Sequence, residues 1–118
     1  IVLACTSTYP TSPEELNLRH INTLKSKYPI VKVGFSNHYN GVDACVGAVA
    51  LGAECIEFHI TNDRTSYGSD QAASIEKADL LIDAVRKMEL MLGDGVKKIY
   101  DSEKPIAKKL RKVDDTTK

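Results

Sequence analysis

The sequence predicts an α/β fold in which three parallel strands alternate with helices. Three short apolar runs, at residues 1–5, 31–35 and 55–58, are each followed by a polar loop and then by a segment with helical spacing. Each run has the length and composition of a strand buried in a parallel sheet. Strands that alternate with helices form parallel sheets, because each helix returns the chain to the same edge.

The first of the intervening helices is marked by Ser12, Pro13 and Glu15. These residues predict an N-cap, a proline at the first helical position and a capping box. The helix would therefore begin at about residue 14 and end before Pro29.

The other two helices end at glycines. The second is predicted over residues 42–51 and is closed by Gly52. The third is predicted to have Ser74 as its N-cap and Gly93 as its C-terminal stop, and it carries an apolar stripe between them.

Composition and charge narrow the class of protein. The chain has 118 residues, enough for one domain with a core, and its sixteen basic and sixteen acidic residues give a formal net charge of zero. We therefore expect no nucleic-acid partner and no membrane attachment, and no run approaches the ~20 apolar residues that span a bilayer. Cys5, Cys45 and Cys55 lack paired spacing, which favours reduced thiols in a cytoplasmic protein.

Residues 1–95 are predicted to form the α/β unit, and residues 96–118 a lysine-rich linker with a short helix near 107–112. Three parallel strands alone leave two unpaired edges, whereas a closed eight-stranded barrel needs roughly 250 residues. The chain begins at Ile1, inside an apolar run and without methionine, as expected of a segment of a longer protein. Part of a barrel and a small open α/β domain are both compatible with this pattern.

Two histidines follow neighbouring strands at the point where each strand ends. His38 comes after the second run and His59 after the third, so both are expected at the carboxyl edge of the sheet, where ligands of such folds bind. One histidine there is typical of a hydrogen-bonded structural residue, but two together favour a functional pair. Two neutral imidazoles can hold a divalent metal ion and leave positions open for substrate. His20, on the first helix, is expected to face solvent.

Other polar groups near this edge have both functional and purely structural interpretations. Ser7 and Ser36 follow strand ends, where hydroxyls can help to hold a phosphate or carboxylate, but where serine also serves simple turns. Asp70 lies in the long loop 61–73, where it could bind sugar hydroxyls, act as a base or belong to a plain turn. No phosphate loop with a lysine, dinucleotide fingerprint, H-E-x-x-H or G-x-S-x-G motif is present, which argues against nucleotide hydrolases, dinucleotide enzymes and serine hydrolases.

At these residues the chain resembles the sialic acid (N-acetylneuraminate) synthase family, whose members condense phosphoenolpyruvate with N-acetylmannosamine or related amino sugars. The resemblance runs along nearly the whole chain as short blocks in order. The blocks are CTSTYPT at 5–11, LNLR at 16–19, VGFSNH at 33–38, AVALGA at 48–53, IEFHIT at 56–61, GSD at 68–70, ASIE at 73–76 and LGDGVKK at 92–98. So many blocks in order are more specific than any single motif.

The resemblance implies that the chain is the last three βα units, strands 6–8, of a TIM (β/α)8 barrel, incomplete as a single chain. Residues 1–95 would be the C-terminal portion of the barrel, and residues 96–118 would lead towards a separate antifreeze-like domain. The family's phosphate-binding lysines and catalytic glutamate belong to the first five strands. We therefore expect the chain to be inactive on its own.

The resemblance also implies a metal centre. The histidines matching His38 and His59 hold Mn²⁺ or a similar divalent ion, with Mg²⁺ and Co²⁺ as alternatives, and these two residues with Asp70 are the expected catalytic residues. The chain departs from the family's pattern at Asn37, where an aspartate is usual, and at Gln71, where a histidine is frequent.

Ser7 and Ser36 are expected to bind phosphoenolpyruvate, Tyr9 to line the pocket and Asp70 to meet the amino sugar. The implied reaction joins phosphoenolpyruvate to an N-acetylated amino sugar, or to its phosphate, and releases a sialic acid and phosphate. It depends on positioning and charge stabilisation, without a protein nucleophile. A homo-oligomer is the expected assembly. The alternative is a non-catalytic α/β module that binds a metal or an anion weakly or mediates association.

Overall fold

The computed structural model describes residues 1–68 and 70–110, and these residues have the predicted alternation of strands and helices. In order they form β1 (Val2–Cys5), α1 (His20–Lys27), β2 (Val33–Asn37), α2 (Asp43–Ala50), β3 (Ile56–Phe58), α3 (Ala78–Leu92) and α4 (Lys104–Leu110). Short 3-10 turns at Pro13–Glu15 and Gln71–Ala73 lie in the loops before α1 and α3. The α/β class predicted from the sequence is confirmed.

The strands form a parallel sheet in the order β1–β2–β3. Cys5 is aligned with Ser36, and Ser36 with Glu57, so that these three residues make a row across one face of the sheet near its carboxyl edge. The preceding residue of each strand points to the opposite face, where the helices pack. Within the described residues, no further strand pairs with the outer edge of β1 or of β3.

The core lies between the sheet and helices α1, α2 and α3. Its largest fully buried side chains come from β2, α1 and α3, and they are Phe35, Val33, Ile21 and Leu81. The residues by which α2 joins this core are small, namely Ala44, Cys45 and Ala48. Their size allows the helix backbone to lie close to β2.

The predicted start of the first helix is wrong, because α1 begins at His20 and not at about residue 14. Asn17 has a left-handed φ of 47°, which separates the 3-10 turn from α1. The hydroxyl of Ser12 donates to the carboxylate of Glu15 over 2.9 Å and makes no side-chain cap to the backbone. The capping box does not form, because its two side chains bond to each other.

The predicted N-cap of the third helix is also wrong, because α3 begins at Ala78. Ser74 is buried, and its hydroxyl donates to the carbonyl of Asp70 over 2.8 Å. The next residue, Ile75, forms an isolated parallel bridge with Ile60. The chain therefore returns to the edge of the sheet before α3 starts, and this return accounts for the length of the loop.

As predicted, α3 ends at Gly93, whose φ of 60° is a conformation that favours glycine. The short helix expected near 107–112 is observed as α4 over Lys104–Leu110, and residues 111–118 lie outside the described part of the chain. The domain boundary at residue 95 stays a prediction. None of the helices in the described ranges is long and apolar enough to cross a membrane.

Candidate functional site

His38 and His59 lie side by side at the carboxyl edge of the sheet. His38 immediately follows β2, and His59 immediately follows β3. Their ring centroids are 5.4 Å apart, and the ring planes make an angle of 62°. His38 is buried, whereas the side chain of His59 is 32% exposed. The two imidazoles are therefore neighbours, while His20 is exposed at the start of α1, as expected.

The ring of His38 is oriented by a backbone carbonyl. Its Nδ1 lies 2.8 Å from the carbonyl oxygen of Thr6, and a carbonyl oxygen can only accept a hydrogen bond. Nδ1 therefore carries the proton of the neutral ring, and Nε2 keeps its lone pair. Metal-binding histidines have this arrangement, in which a carbonyl fixes the tautomer and the ring direction.

The loop that supplies this carbonyl is held by Thr11, which is 3% exposed. The Thr11 hydroxyl lies 2.8 Å from the carbonyl of Thr8 and 3.3 Å from that of Thr6. The Thr11 N–H donates to the His38 carbonyl over 2.8 Å. These bonds tie the loop to the end of β2 and hold the Thr6 carbonyl against His38. Thr11 was not predicted as a site residue, because no sequence pattern around it indicates its contacts with Thr6 and His38.

Tyr9 covers both histidines. Its ring centroid is 4.3 Å from that of His38 at an angle of 36°, and 6.2 Å from that of His59 at 82°. Such tilted and edge-on contacts are favourable arrangements for aromatic rings. Tyr9 keeps 43% of its surface exposed, so it forms part of the wall of an open site. The pocket-lining role expected for Tyr9 stays a prediction.

Glu57 joins two of the predicted site residues and was missed by the sequence analysis. Its Oε2 accepts a 2.5 Å hydrogen bond from the buried hydroxyl of Ser36, and its Oε1 lies 3.7 Å from Nε2 of His59. The alternation of side chains along β3 was a usable signal, because it puts residues 57 and 59 on the same face. Because the residues on either side of Glu57 are apolar, the run 55–58 was interpreted as a buried strand and Glu57 was not predicted as a site residue.

Asp70 reaches the same site from the loop after β3. Its Oδ2 lies 3.7 Å from Nδ1 of His59, on the other side of the ring from Glu57. His59 therefore lies between two carboxylates, each beyond hydrogen-bond distance and each about half exposed. Solvent screens contacts of this kind, so their contribution to folding is small.

Ser7 is exposed on the loop after β1. Its Oγ lies 3.8 Å from Sγ of Cys5, and that sulfur lies 3.8 Å from Nδ1 of His38. Ser7 thus lies at the same edge as the histidines but is linked to them only through Cys5 in the contacts described. The substrate role expected for Ser7 stays a prediction.

The residues present fit a divalent ion as a partial ligand set. His38 offers a free Nε2 lone pair in a fixed direction, and His59 lies beside it. Within residues 1–68 and 70–110, no group of three or more His, Cys, Asp or Glu side chains is arranged to hold an ion. The two histidines would therefore share an ion with water, substrate or other protein ligands.

Comparisons with known proteins identify the family of the chain. The model of the NeuB family matches residues 1–97. The chain is 43% identical to human N-acetylneuraminate-9-phosphate synthase over 112 residues, which is 93% of this chain and 31% of that protein. It is 45% identical to pseudaminic acid synthase of Campylobacter jejuni over 97 residues, which is 80% of this chain and 28% of that protein.

Among solved structures, the N-acetylneuraminic acid synthetase of Leptospira borgpetersenii is similar, with a TM-score of 0.71 and 38% sequence identity. The match covers 92% of this chain and 40% of that one. The chain spans about a third of the length of the curated relatives that it matches. Because the family model matches residues 1–97 and the fold is shared with a solved relative, the chain belongs to the NeuB family.

Proposed function

We propose that this chain carries part of the active site of a synthase that condenses phosphoenolpyruvate with an N-acetylated amino sugar, or with the phosphate of that sugar. The observation that carries the proposal is the pair of adjacent imidazoles, 5.4 Å apart at the carboxyl edge of a parallel sheet, in a chain of the NeuB family. In this proposal β1–β3 are strands six to eight of a (β/α)8 barrel. The open edges of β1 and β3 are then the places where the remaining strands pair.

The products of the proposed reaction are a sialic acid or a related keto sugar acid, and phosphate. The new carbon–carbon bond joins the methylene carbon of phosphoenolpyruvate to the aldehyde carbon of the open-chain sugar. Water adds to the former enol carbon, and phosphate leaves from that carbon. The protein has to hold two substrates in contact and stabilise charge.

His38 and His59 would hold a divalent ion, which we propose to be Mn²⁺, with Mg²⁺ or Co²⁺ as alternatives. When bound, the ion would supply positive charge beside the aldehyde oxygen. His38 is held in place by the Thr6 carbonyl, and Tyr9 covers both rings.

The substrates would meet the remaining residues of the site. Ser7 and Ser36 would face phosphoenolpyruvate, whose negative charge suits hydroxyl donors. Asp70, on the far side of His59 from Glu57, would accept hydrogen bonds from the sugar hydroxyls.

The two departures from the family's pattern have local structural partners. Asn37 is fully buried; its Nδ2 donates to the Tyr39 carbonyl over 2.8 Å, and its Oδ1 accepts from the Tyr39 N–H over 3.3 Å. Gln71 accepts a hydrogen bond from the Thr61 hydroxyl. Asn37 thus supports the end of β2 and Gln71 supports the loop after β3. Both substitutions are therefore compatible with the proposed site.

The test uses the protein expressed from its full-length gene. Phosphoenolpyruvate and N-acetylmannosamine, or its 6-phosphate, are supplied with Mn²⁺, and product formation is followed by mass spectrometry and phosphate release. We expect His38→Ala and His59→Ala to lower Mn²⁺ affinity by more than about a hundredfold, because each removes a ligand, whereas changes outside the ligand shell cost less than this. His20→Ala, in an exposed position, is the matched control. Unchanged Mn²⁺ affinity in both site variants would refute the proposal.

A further inference from the structure

We propose that Glu57 couples the metal site to the anion site, so that Ser36 becomes available to an anionic substrate only after a cation has bound at His38 and His59. This inference rests on the function proposed above, and it concerns a residue to which the resemblance assigns no role. Glu57 acts here as a positioning residue, through Ser36 on one side and His59 on the other.

The hydrogen bond between Ser36 and Glu57 can run in only one direction. A carboxylate only accepts hydrogen bonds, so the hydroxyl of Ser36 must be the donor. The Oγ–Oε2 distance of 2.5 Å is at the short end of the range for a hydroxyl bound to a carboxylate. A hydroxyl has one proton to donate. While Glu57 holds that proton, Ser36 cannot donate to a phosphate or a carboxylate of a substrate.

The negative charge of Glu57 also affects the binding of an anion at Ser36. An anion that approached Ser36 would also approach the Glu57 carboxylate, whose oxygen lies 2.5 Å from the same hydroxyl. Like charges at such short range repel, most strongly where solvent is limited. Ser36 is 5% exposed, whereas the Glu57 side chain is 49% exposed, so solvent screens part of this repulsion but not all of it. Without a cation nearby, Glu57 therefore opposes anion binding at Ser36.

The second carboxylate oxygen of Glu57 lies near the histidine pair. Oε1 of Glu57 lies 3.7 Å from Nε2 of His59, so the carboxylate already extends towards the histidine pair. Glu57 would be attracted to a cation held by those histidines, and its charge would be offset there. The Ser36 proton would then be free to turn towards the anion. By linkage, the anion must strengthen cation binding by the same factor.

A purely structural role for Glu57 makes a different prediction. The bond to Ser36 joins β2 to β3, and loss of such a bond would weaken the sheet whether or not a cation were present. Coupling requires instead that the effect of Glu57 on anion binding depend on the cation. The test therefore measures anion affinity in both states.

The experiment uses the full-length protein, phosphoenolpyruvate as the anion, and calorimetric titration with and without saturating Mn²⁺. Glu57→Gln removes the charge but keeps an oxygen that can accept from Ser36. We expect the metal-free variant to bind phosphoenolpyruvate about tenfold more tightly than the metal-free wild type, and to gain correspondingly less from Mn²⁺, since site couplings are typically about 5- to 150-fold. Glu54→Gln, which changes an exposed charge just before β3, is the control and should match the wild type.

Ser36→Ala provides a second arm that does not depend on the Glu57 variant. Without Mn²⁺ it should change phosphoenolpyruvate affinity by less than about twofold, whereas with Mn²⁺ it should weaken binding about tenfold, as loss of a charge-assisted hydrogen bond does. Equal losses in both states, or no tightening in metal-free Glu57→Gln, would overturn the coupling. If either of these two contradicting results appeared while the wild type still turned over substrate, the coupling would be rejected and the proposed function would be retained. If the wild type bound no phosphoenolpyruvate with or without Mn²⁺, the proposed function would fall with it.

Discussion

His38 is oriented by a backbone carbonyl that is itself held by a buried threonine. The hydroxyl of Thr11 donates to the carbonyl of Thr8 over 2.8 Å and lies 3.3 Å from that of Thr6, and the Thr6 carbonyl accepts the Nδ1 proton of His38. The direction of the His38 lone pair therefore depends on Thr11, a residue to which the proposed reaction assigns no contact with substrate. Residues that act in this way on a metal ligand affect affinity without being ligands themselves.

Thr11→Val should weaken Mn²⁺ binding by the full-length protein. Valine keeps the shape of threonine but removes the hydroxyl that holds the loop carrying the Thr6 carbonyl, and losses of this kind are about tenfold to a hundredfold. Thr11→Ser should restore most of the affinity, and Thr23→Val, at an exposed position of α1, should leave it unchanged. Titration of bound Mn²⁺ by its electron paramagnetic resonance signal gives the affinity. Equal affinities for Thr11→Val and the wild type would show that the loop does not position His38.

Cys45 should resist alkylation in the folded protein. Burial, with a smaller contribution from the negative charge of Asp43, raises the pKa of its thiol to about 12. At about pH 8 the reactive thiolate is therefore about one molecule in ten thousand. Iodoacetamide should modify the exposed Cys5 in the native protein and Cys45 only after denaturation, as read by peptide mass spectrometry. Equal labelling of the two residues in the native state would contradict this.

The same pKa shift has a consequence for stability. The folded-state pKa of Cys45 lies above the value of 9.0 for an unfolded thiol. The stabilising contribution is therefore complete below about pH 9 and is lost as the pH rises towards 12, because the unfolded state loses its proton first. Alkaline unfolding of Cys45→Ala should depend less on pH in this window than unfolding of the wild type.

At the scale of elements, the central strand β2 depends on a glycine. Gly34 is aligned with Leu3 of β1, and a Cβ at this position would lie 2.8 Å from Leu3 Cδ2 and 2.3 Å from the carbonyl oxygen of Cys55. That carbonyl accepts the N–H of Phe35 over 2.8 Å. It cannot move aside without breaking the pairing of β2 with β3. The close approach of the Cys55 carbonyl and the Leu3 side chain to Gly34 therefore excludes a larger residue.

Gly34→Ala should lower the free energy of unfolding by at least about 2 kcal/mol, since overpacking in a close-packed core has costs of this order. Gly47→Ala is the matched control. Its Cβ would meet only the flexible end of Leu18, at 3.1 Å, and the gain in helix propensity of about 1 kcal/mol would offset that contact. Urea denaturation followed by circular dichroism compares the two variants. The same midpoint for Gly34→Ala and the wild type would show that the strands can separate at little cost.

At the scale of the whole molecule, helices cover one face of the sheet, and within residues 1–68 and 70–110 no further strand pairs with its two edges. Several large apolar side chains are exposed on the loops and on α3, namely Ile30, Ile60, Leu80, Leu90 and Met91. Open strand edges offer unpaired N–H and C=O groups to other chains. Exposed apolar groups and open edges together favour association.

We therefore expect the 118-residue polypeptide, when isolated, to self-associate or to be only partly ordered. Sedimentation velocity over a range of concentrations measures the association, and thermal unfolding measures the order. A monomer with a sharp two-state transition would contradict the expectation. The full-length gene product is the natural comparison, because further strands would cover the edges of β1 and β3 in the proposed barrel.

The sequence by itself was enough to predict the order of strands and helices, because apolar runs, helical spacing and terminal glycines are local signals. It also predicted that His38 and His59 would be neighbours, since the carboxyl ends of adjacent parallel strands share one edge. The site roles that follow from the family resemblance stay predictions. Local signals failed at the start of α1, where one left-handed residue, Asn17, interrupts the pattern, and at Ser74, which closes a turn and caps no helix.

Only the tertiary structure decided which groups orient the two histidines. The carbonyl that fixes His38 comes from Thr6, 32 positions earlier in the chain, and the carboxylate beside His59 also holds Ser36, 21 positions before it. Nothing within the short run 55–58 indicates either partner of Glu57. Contacts of this kind arise from the register of three strands, and no pattern within one strand specifies the register of its neighbours.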